Sequence, residues 1–319
     1  MINASKIFDT LHLLSNGLAY PINRLANSLQ CTPAEVLPIM EAMQAEYGVA
    51  FFNKPHNTYQ LTKPFEWLNE EVVYSQLTPD AHQAFTLTFV NEIDSTNSFL
   101  KKSAKKEAPH GLVLGAEWQK NGHGKMDRKW HMRLGGSLAC SVLWYFEKMP
   151  FAASSITLAT GVAVVRALAK LDVFAQLKWP NDILLAQRKL GGILVEMLSG
   201  ATHRTAVVIG IGLNIETPTS LTADTTGCIV NSRNALLASI LNTLYVALKT
   251  LSTEGFKPFQ KEWEMCCAHL HMPVRLSDPN GKEVIGLAQG VNEEGALQLK
   301  TQNGIQTYYV GEITLRTLS

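Results

Sequence analysis

At 319 residues the chain exceeds what one small core organises, and its length predicts two or three domains. Lys and Arg total 28 against 27 Asp and Glu, so a net charge of +1 gives no whole-molecule attraction to nucleic acid or an anionic membrane, and any anion binding must be local. Hydrophobic residues make up 46%, but the longest apolar runs, Ile156–Leu168 and Ala206–Ile211, are too short or too interrupted to span a bilayer. The opening MINASKIFDTLHLL lacks the pattern of a secretory signal, and the five cysteines (Cys31, Cys140, Cys228, Cys266, Cys267) share no repeated spacing. Reduced structural thiols in a cytoplasmic protein without a membrane partner are the expectation.

In chain order, Ile7, Leu11, Leu13 and Leu14 mark one helical face, and Pro21 to Ser28 reads as a second short helix. Thr32, Pro33 and Glu35 form a capping-box pattern that opens a third helix through Val36, Ile39, Met40 and Met43, with Gly48 as its stop. VAFF, a polar turn at 53–57 and TYQL then read as a two-stranded wing, so residues 1–62 have the order of a winged helix-turn-helix module. Residues 63–82 look like a linker with one amphipathic stretch. From 83 to 270 strands and helices mix: FTLTFVNEI, GLVLGAEW, SLACSVLWYF, a helix over Ser155–Leu171, a strand at Ile183–Leu185, GGILVEML, AVVIGIGLNI and a helix over Arg233–Leu251. Residues 271–319 hold short strand signals separated by turns at Pro279–Gly281, Glu294–Gly295 and Asn303–Gly304, the pattern of a small barrel.

Three stretches carry chemistry. Gln119–Arg133 holds Lys120, Lys125, Arg128, Lys129 and Arg133 against Asp127 alone. Its Gly122 and Gly124 let backbone N–H groups face an anion, Arg128 offers a fork and Lys125 a point charge to phosphate, and Trp130 supplies a flat surface. A solvated basic loop with a core tryptophan accounts for the composition equally well. In the second stretch Asn181–Asp182 after Pro180 is a turn by local rules, whereas Lys189 stands before two glycines that open an apolar strand, where backbone approaches a ligand closely. A lysine there suits a carboxylate and a phosphate as they combine. In the third stretch, Asp94–Asn97, small polar side chains suit a neutral group such as a ureido, or simply cap a helix.

Together, DSTN at 94–97, Gln119, the G-x-G-K-x-x-R-K-W loop, KWPND, RKLGG, IGIGLN and the final GEITLR resemble, in their order along the whole chain, the biotin–protein ligases, and most closely the bifunctional kind that also represses the biotin operon. The related lipoate ligases share the catalytic fold, but their arginine–arginine–serine–glycine-rich signature is absent. The resemblance implies an α+β chain: a winged helix-turn-helix at 1–62, a linker at 63–82, a central mixed-sheet, class II synthetase-like ligase domain at 83–270, and an SH3-like barrel at 271–319. It implies that biotin and ATP are the substrates, with Mg2+, and that biotinyl-5′-AMP forms before biotin passes to a lysine of the biotin carboxyl carrier protein of acetyl-CoA carboxylase. Ser95, Thr96 and Gln119 would hold the biotin rings, with Gly122 and His123 closing over them. Lys189 would contact the biotin carboxylate and the α-phosphate. Lys125, Arg128 and Trp130 would order over the adenylate. Asn181 and Asp182 would lie near the phosphates, Asp182 also toward magnesium; Asn214 would lie near adenine, and Glu312 and Arg316 would reach across from the barrel. Lys189, Arg128 and Lys125 would be the catalytic cations. Operator DNA and a homodimer paired through the sheet edge are further partners that the resemblance implies.

The sequence departs from the family pattern in two places. Where the family reads G-R-G-R-x-G-R-x-W, this loop has His123 and Lys125 for arginines and Asp127 for the third glycine, a position where Asp tolerates left-handed backbone. A carboxylate about 6 Å from a phosphate at an effective dielectric of about 20 costs about 3 kcal/mol unscreened, offset by Arg128 and Lys129. The third helix carries Glu35 and Glu41 but no Lys or Arg, and Pro38 predicts a kink in it. Residues 1–63 carry four basic and four acidic side chains, leaving Arg24, Lys54 and His56 for phosphate and predicting weak or lost operator binding. Two other activities fit the motifs less fully: a ligand-sensing repressor with a decayed ligase site, and a lipoate or other acyl-carrier ligase. For the loop, the expectation is an active ligase that retains its adenylate weakly. Asp127→Gly should slow escape of biotinyl-adenylate into solution, and an unchanged release rate would contradict this.

Overall fold

The structure, a computed structural model, describes residues 4–54, 57–147, 152–198, 204–216, 225–228, 230–277, 283–309 and 314–317. The first unit comprises α1 (Ala4–Leu14), β1 (Tyr20–Pro21), α2 (Ile22–Ser28), α3 (Pro33–Tyr47), β2 (Phe51–Lys54) and β3 (Thr58–Leu61), its strands ordered β1-β3-β2. Glu35 secures the start of α3 by accepting from the Thr32 backbone N–H at 2.7 Å and its hydroxyl at 2.8 Å. Gly48, left-handed at φ 64°, ends it. The helix continues through Pro38 and reaches Tyr47, directly before the expected stop at Gly48. Leu11, Leu14, Leu25, Val36, Ile39, Met40 and Met43 form its buried core.

The segment between the first unit and the large sheet is more structured than one amphipathic stretch. It holds α4 (Glu70–Tyr74) and α5 (Pro79–Ala84), whose Val73 and Ala81 are buried in the main core. The larger unit follows: β4 (Thr86–Ile93), α6 (Thr96–Ala104), β5 (Leu112–Gln119), β6 (Ser137–Phe146), α7 (Ala153–Ala169), β7 (Gln176–Lys178), β8 (Asp182–Leu185), β9 (Arg188–Leu198), β10 (Thr205–Asn214), α8 (Arg233–Glu254) and α9 (Lys257–Cys266). Its seven-stranded mixed sheet runs β4-β5-β6-β10-β9-β8-β7, with β4 and β5 parallel and the other neighbours antiparallel.

The two-residue period of the strands sorts the side chains by face. Leu138, Cys140, Val142 and Trp144 of β6 join Val207, Ile209, Ile211 and Leu213 of β10 in one core with α7 and α8. The opposite face holds Leu143, Ala206 and Val208 against Leu100 of α6. Further along the same face, β6 and β10 turn small, with Ala139, Ser141, Gly210 and Gly212, and α6 leaves room for a cleft.

A buried ion set locks the first unit's exit to this sheet. Arg233, at the start of α8, donates to both Glu117 oxygens at 3.1 and 2.9 Å, to Ser137 O at 3.0 Å and to Glu66 O at 3.1 Å. Glu66 accepts from the Ser232 hydroxyl and from the Arg233 and Asn234 backbone N–H groups. Burial pushes the Glu66 carboxyl up, but these hydrogen bonds outweigh it and hold the carboxyl below its usual range. Arg233 and Glu117 are 4% and 3% exposed, so removing either partner would strand a charge in the interior.

The last unit comprises β11 (Pro273–Ser277), β12 (Glu283–Val291), β13 (Leu297–Thr301), β14 (Gly304–Tyr308) and β15 (Thr314–Thr317), an antiparallel sheet ordered β14-β13-β12-β11-β15. Gly295 and Gly304, at φ 78° and 91°, fall at the expected turns; the turn at 279–281 lies outside the described residues. The Glu294–Gly295 turn docks on the sheet unit. Glu294 O accepts from the Ser154 and Ser155 hydroxyls at 3.0 Å each, and Gly295 O accepts from Trp179 Nε1 at 3.3 Å.

Candidate active site

A cleft of about 280 Å³ opens on the face of the sheet where β6 and β10 turn small. It gathers Ser95, Thr96, Gln119, His123, Lys125, Arg128, Trp130, Asn181, Asp182 and Lys189 from stretches far apart in sequence.

The neutral end is built at the turn from β4 into α6. Ser95 caps α6, its hydroxyl accepting from Ser98 N at 3.3 Å, and together with Thr96 and Asn97 it also lines the cleft. Gln119 Oε1 accepts from Thr96 N at 2.8 Å and its hydroxyl at 3.1 Å. Ser141, a small polar residue on the site face of β6, lies 2.7 Å from Thr96 Oγ1 and 2.5 Å from Asn97 Oδ1. Asn97 donates to Glu196 at 3.0 Å, and Lys101 holds the other Glu196 oxygen at 2.6 Å. Asn97 belongs to the expected polar stretch, whereas Ser141 and Glu196 were not among the expected site residues; two-residue alternation along SLACSVLWYF puts Ser141 opposite the apolar face.

The charged end is the basic loop. Gly124 N donates to Arg128 O at 2.7 Å, Trp130 N to Gly122 O at 2.8 Å, and His123 pairs with Lys129, so the loop folds back as a tight hairpin around a 3-10 turn at Lys125–Asp127. The left-handed backbone falls at Met126 (φ 59°), not at Asp127 as the sequence suggested. His123 Nε2 lies 4.0 Å from Glu196. Burial lowers the Lys125 ammonium, with the Arg128 charge adding to the shift and Asp182 opposing it, so this cation is destabilised until an anion joins it. Across the cleft Lys189 Nζ is 2.6 Å from Asp182 Oδ1, and Asn181 Nδ2 donates to Ile193 O at 2.9 Å.

Glycines keep the floor low. A Cβ on Gly212 would lie 2.8 Å from the Trp130 ring, and one on Gly210 2.3 Å from Asn97 Oδ1. Cys140 borders the cleft, but burial pushes its thiol up to about 12, so it offers no thiolate for acyl capture.

Not every expected residue meets the cleft. Gly122 lies behind it, close to Gln119 and Trp130. Asn214, 1% exposed at the end of β10, does not line it, and its Oδ1 is buried with no partner. Arg316 lies on β15 opposite Arg275, its side chain outside the described residues, as is the whole of Glu312. Among the described residues no group of three or more His, Cys, Asp or Glu is arranged to hold a metal. Asp182 is a single carboxylate in the cleft, which suits magnesium carried mainly by phosphate oxygens.

Residues 89–214 match the family model described as the biotin/lipoate A/B protein ligase family, and residues 269–316 match the biotin protein ligase C terminal domain. The chain is 31% identical over 315 residues to the bifunctional ligase/repressor BirA of Escherichia coli, covering 96% of this chain and 95% of that one. It belongs to the biotin–protein ligase family. It is similar, at 29% identity over 67% of its length, to 82% of the biotin–[acetyl-CoA-carboxylase] ligase of Mycobacterium tuberculosis. The biotin protein ligase of Aquifex aeolicus, solved in complex with biotin and ATP, superposes with a TM-score of 0.65 at 28% identity, over 73% of this chain and 99% of that one. The large mixed sheet with its C-terminal antiparallel sheet is the fold of these ligases, and the chain is an enzyme of this type.

Proposed function

We propose that the chain activates biotin with ATP and transfers it to a lysine of the biotin carboxyl carrier protein of acetyl-CoA carboxylase. The observation that carries this reading is the convergence of Lys125, Arg128 and Lys189 on one cleft whose other end, at Ser95, Thr96 and Gln119, is neutral and hydrogen-bonding. A ureido ring suits the neutral end and a carboxylate–phosphate junction suits the cations.

In the first step a biotin carboxylate oxygen attacks the α-phosphorus of ATP and pyrophosphate leaves. In the second the acceptor amine attacks the acyl carbon, AMP leaves and the amine gives up a proton. Negative charge gathers on phosphorus oxygens in both, where Lys189, oriented by Asp182, and the desolvated Lys125 lower the barrier. Asn181 and Asp182 face the phosphates. Magnesium, held by Asp182 together with those phosphates, would neutralise part of the triphosphate charge. Trp130 covers the adenylate, with His123 closing over biotin and limiting hydrolysis. The unpartnered Asn214 Oδ1 suits a donor such as the adenine amino group, and Glu312 and Arg316 complete the nucleotide side.

The organisation we propose is a winged helix-turn-helix at 1–62, a linker at 63–82, a class II synthetase-like catalytic domain at 83–270 and an SH3-like barrel at 271–319, in a cytoplasmic enzyme that pairs through its sheet edge. Transfer of labelled biotin to a purified carrier domain tests the activity. Lys189→Ala should lower kcat/KM about 100-fold or more, as loss of one transition-state donor does. An inert wild-type chain, equal transfer by the variant, or preference for lipoate or octanoate would contradict it.

Operator binding we propose to be weak or lost, because Glu35 and Glu41 are exposed on α3 and that helix offers phosphate no cation. A gel shift on the biotin-operon promoter with adenylate present should show no salt-sensitive complex at protein concentrations near 1 μM, roughly the stronger end of non-specific affinity. A tight, salt-sensitive complex would refute this.

A further inference from the structure

Tyr47, Glu92 and Lys120 form a polar chain from the first helical unit to the root of the basic loop. Tyr47 is the last residue of α3 and is 4% exposed; its ring meets Phe8 edge-on and lies against Trp118, each at 5.3 Å between centroids. Its hydroxyl donates to one oxygen of Glu92 at 2.6 Å, and the other oxygen holds Lys120 Nζ at 2.6 Å. Burial and the Glu92 carboxylate push the Tyr47 hydroxyl well above its ordinary range, so it remains a donor at neutral pH.

The position of Glu92 gives this contact its consequence. β4 is an edge strand, bonded only to β5. The register pairs Glu92 with Trp118 and Ile93 with Gln119, and the ladder continues as Lys120 N to Ile93 O at 2.9 Å and Asn121 N to Asp94 O at 2.8 Å. The next residues along are Ser95 and Thr96. The end of β4 that presents them to the cleft therefore has no strand on its outer side, and α3 supplies a brace there through Tyr47. An edge strand has fewer hydrogen bonds holding its end, so a short charge-assisted contact at that point restricts it more than the same contact would inside the sheet.

We propose that Tyr47 is a positioning residue for the biotin end of the cleft, acting through Glu92 and Lys120 on the spacing of Ser95 and Thr96 from Gln119. This rests on the reading of that end given under the proposed function. Tyr47→Phe keeps the ring packing and removes only the hydroxyl. Glu92→Gln keeps an acceptor for Tyr47 but loses the charge that holds Lys120.

Both variants are made in the full-length chain. In Tyr47→Phe the KM for biotin should rise about five- to ten-fold, the scale of losing one ordinary hydrogen bond, with kcat and the KM for ATP within about two-fold of wild type. Glu92→Gln should shift the biotin KM in the same direction. Amide exchange at Lys120 and Asn121 should accelerate in both, while Val142 and Ile209 in the sheet centre stay as slow as before. Unchanged biotin KM with unchanged exchange at Lys120 and Asn121 would overturn the proposal, and so would equal acceleration at Val142 and Ile209, which marks general loosening. Should the wild-type chain transfer no biotin, the ligase reading fails, and the exchange measurement still decides the coupling.

Discussion

The loop tryptophan Trp130 and the α6 residue Asn97 settle onto β10 at two points where no side chain fits, and the site depends on that close approach. Gly212 lies under the Trp130 ring and Gly210 lies under the Asn97 amide. Each contact would fall below 3 Å from an added Cβ. The glycines therefore leave space for the loop tryptophan and the α6 asparagine to settle onto the sheet, and so set the depth of the cleft. The opposite face of β10 is continuous Val, Ile and Leu against α7 and α8, which fixes where the floor lies. A low floor backed by a rigid core lets cations from the loop and from β9 address one small volume.

Much of this was legible in the sequence where local rules decide. The capping pattern at Thr32 and Glu35, the stop at Gly48, the strand cores and the turns at Gly295 and Gly304 all follow from short-range chemistry. The order of the motifs carried the family, and ten of the expected side chains line one cleft. What was illegible depends on partners far away in the chain. Arg233 reads as an ordinary residue at a helix start, yet it is buried because Glu117 and Glu66, more than a hundred residues earlier, meet it there. Segment 63–82 reads as a connector because its helices are short; they are held by α8 and by the sheet rather than by their own propensity. Ser141 gains meaning only when β6 and α6 stand side by side and its hydroxyl meets Asn97.

The loop illustrates how local and tertiary constraints share one segment. Its sequence departs from the family pattern at Asp127, but the left-handed residue the turn requires is Met126, so the backbone closes without a third glycine. Closure comes instead from Gly124 meeting Arg128 and Gly122 meeting Trp130. Lys125 is drawn out of water by that closure. A cation desolvated beside Arg128 is electrostatically unfavourable on its own, and an anion placed between the two would relieve it.

Calorimetric titration of a non-hydrolysable biotinyl-adenylate analogue into Gly212→Ala tests the floor most directly. The added methyl has to displace Trp130, so affinity should fall about ten-fold or more, equivalent to about 1.4 kcal/mol or more, while the protein still unfolds cooperatively. Wild-type affinity in that variant would contradict the account, because the cleft would then owe nothing to the close approach of ring and strand.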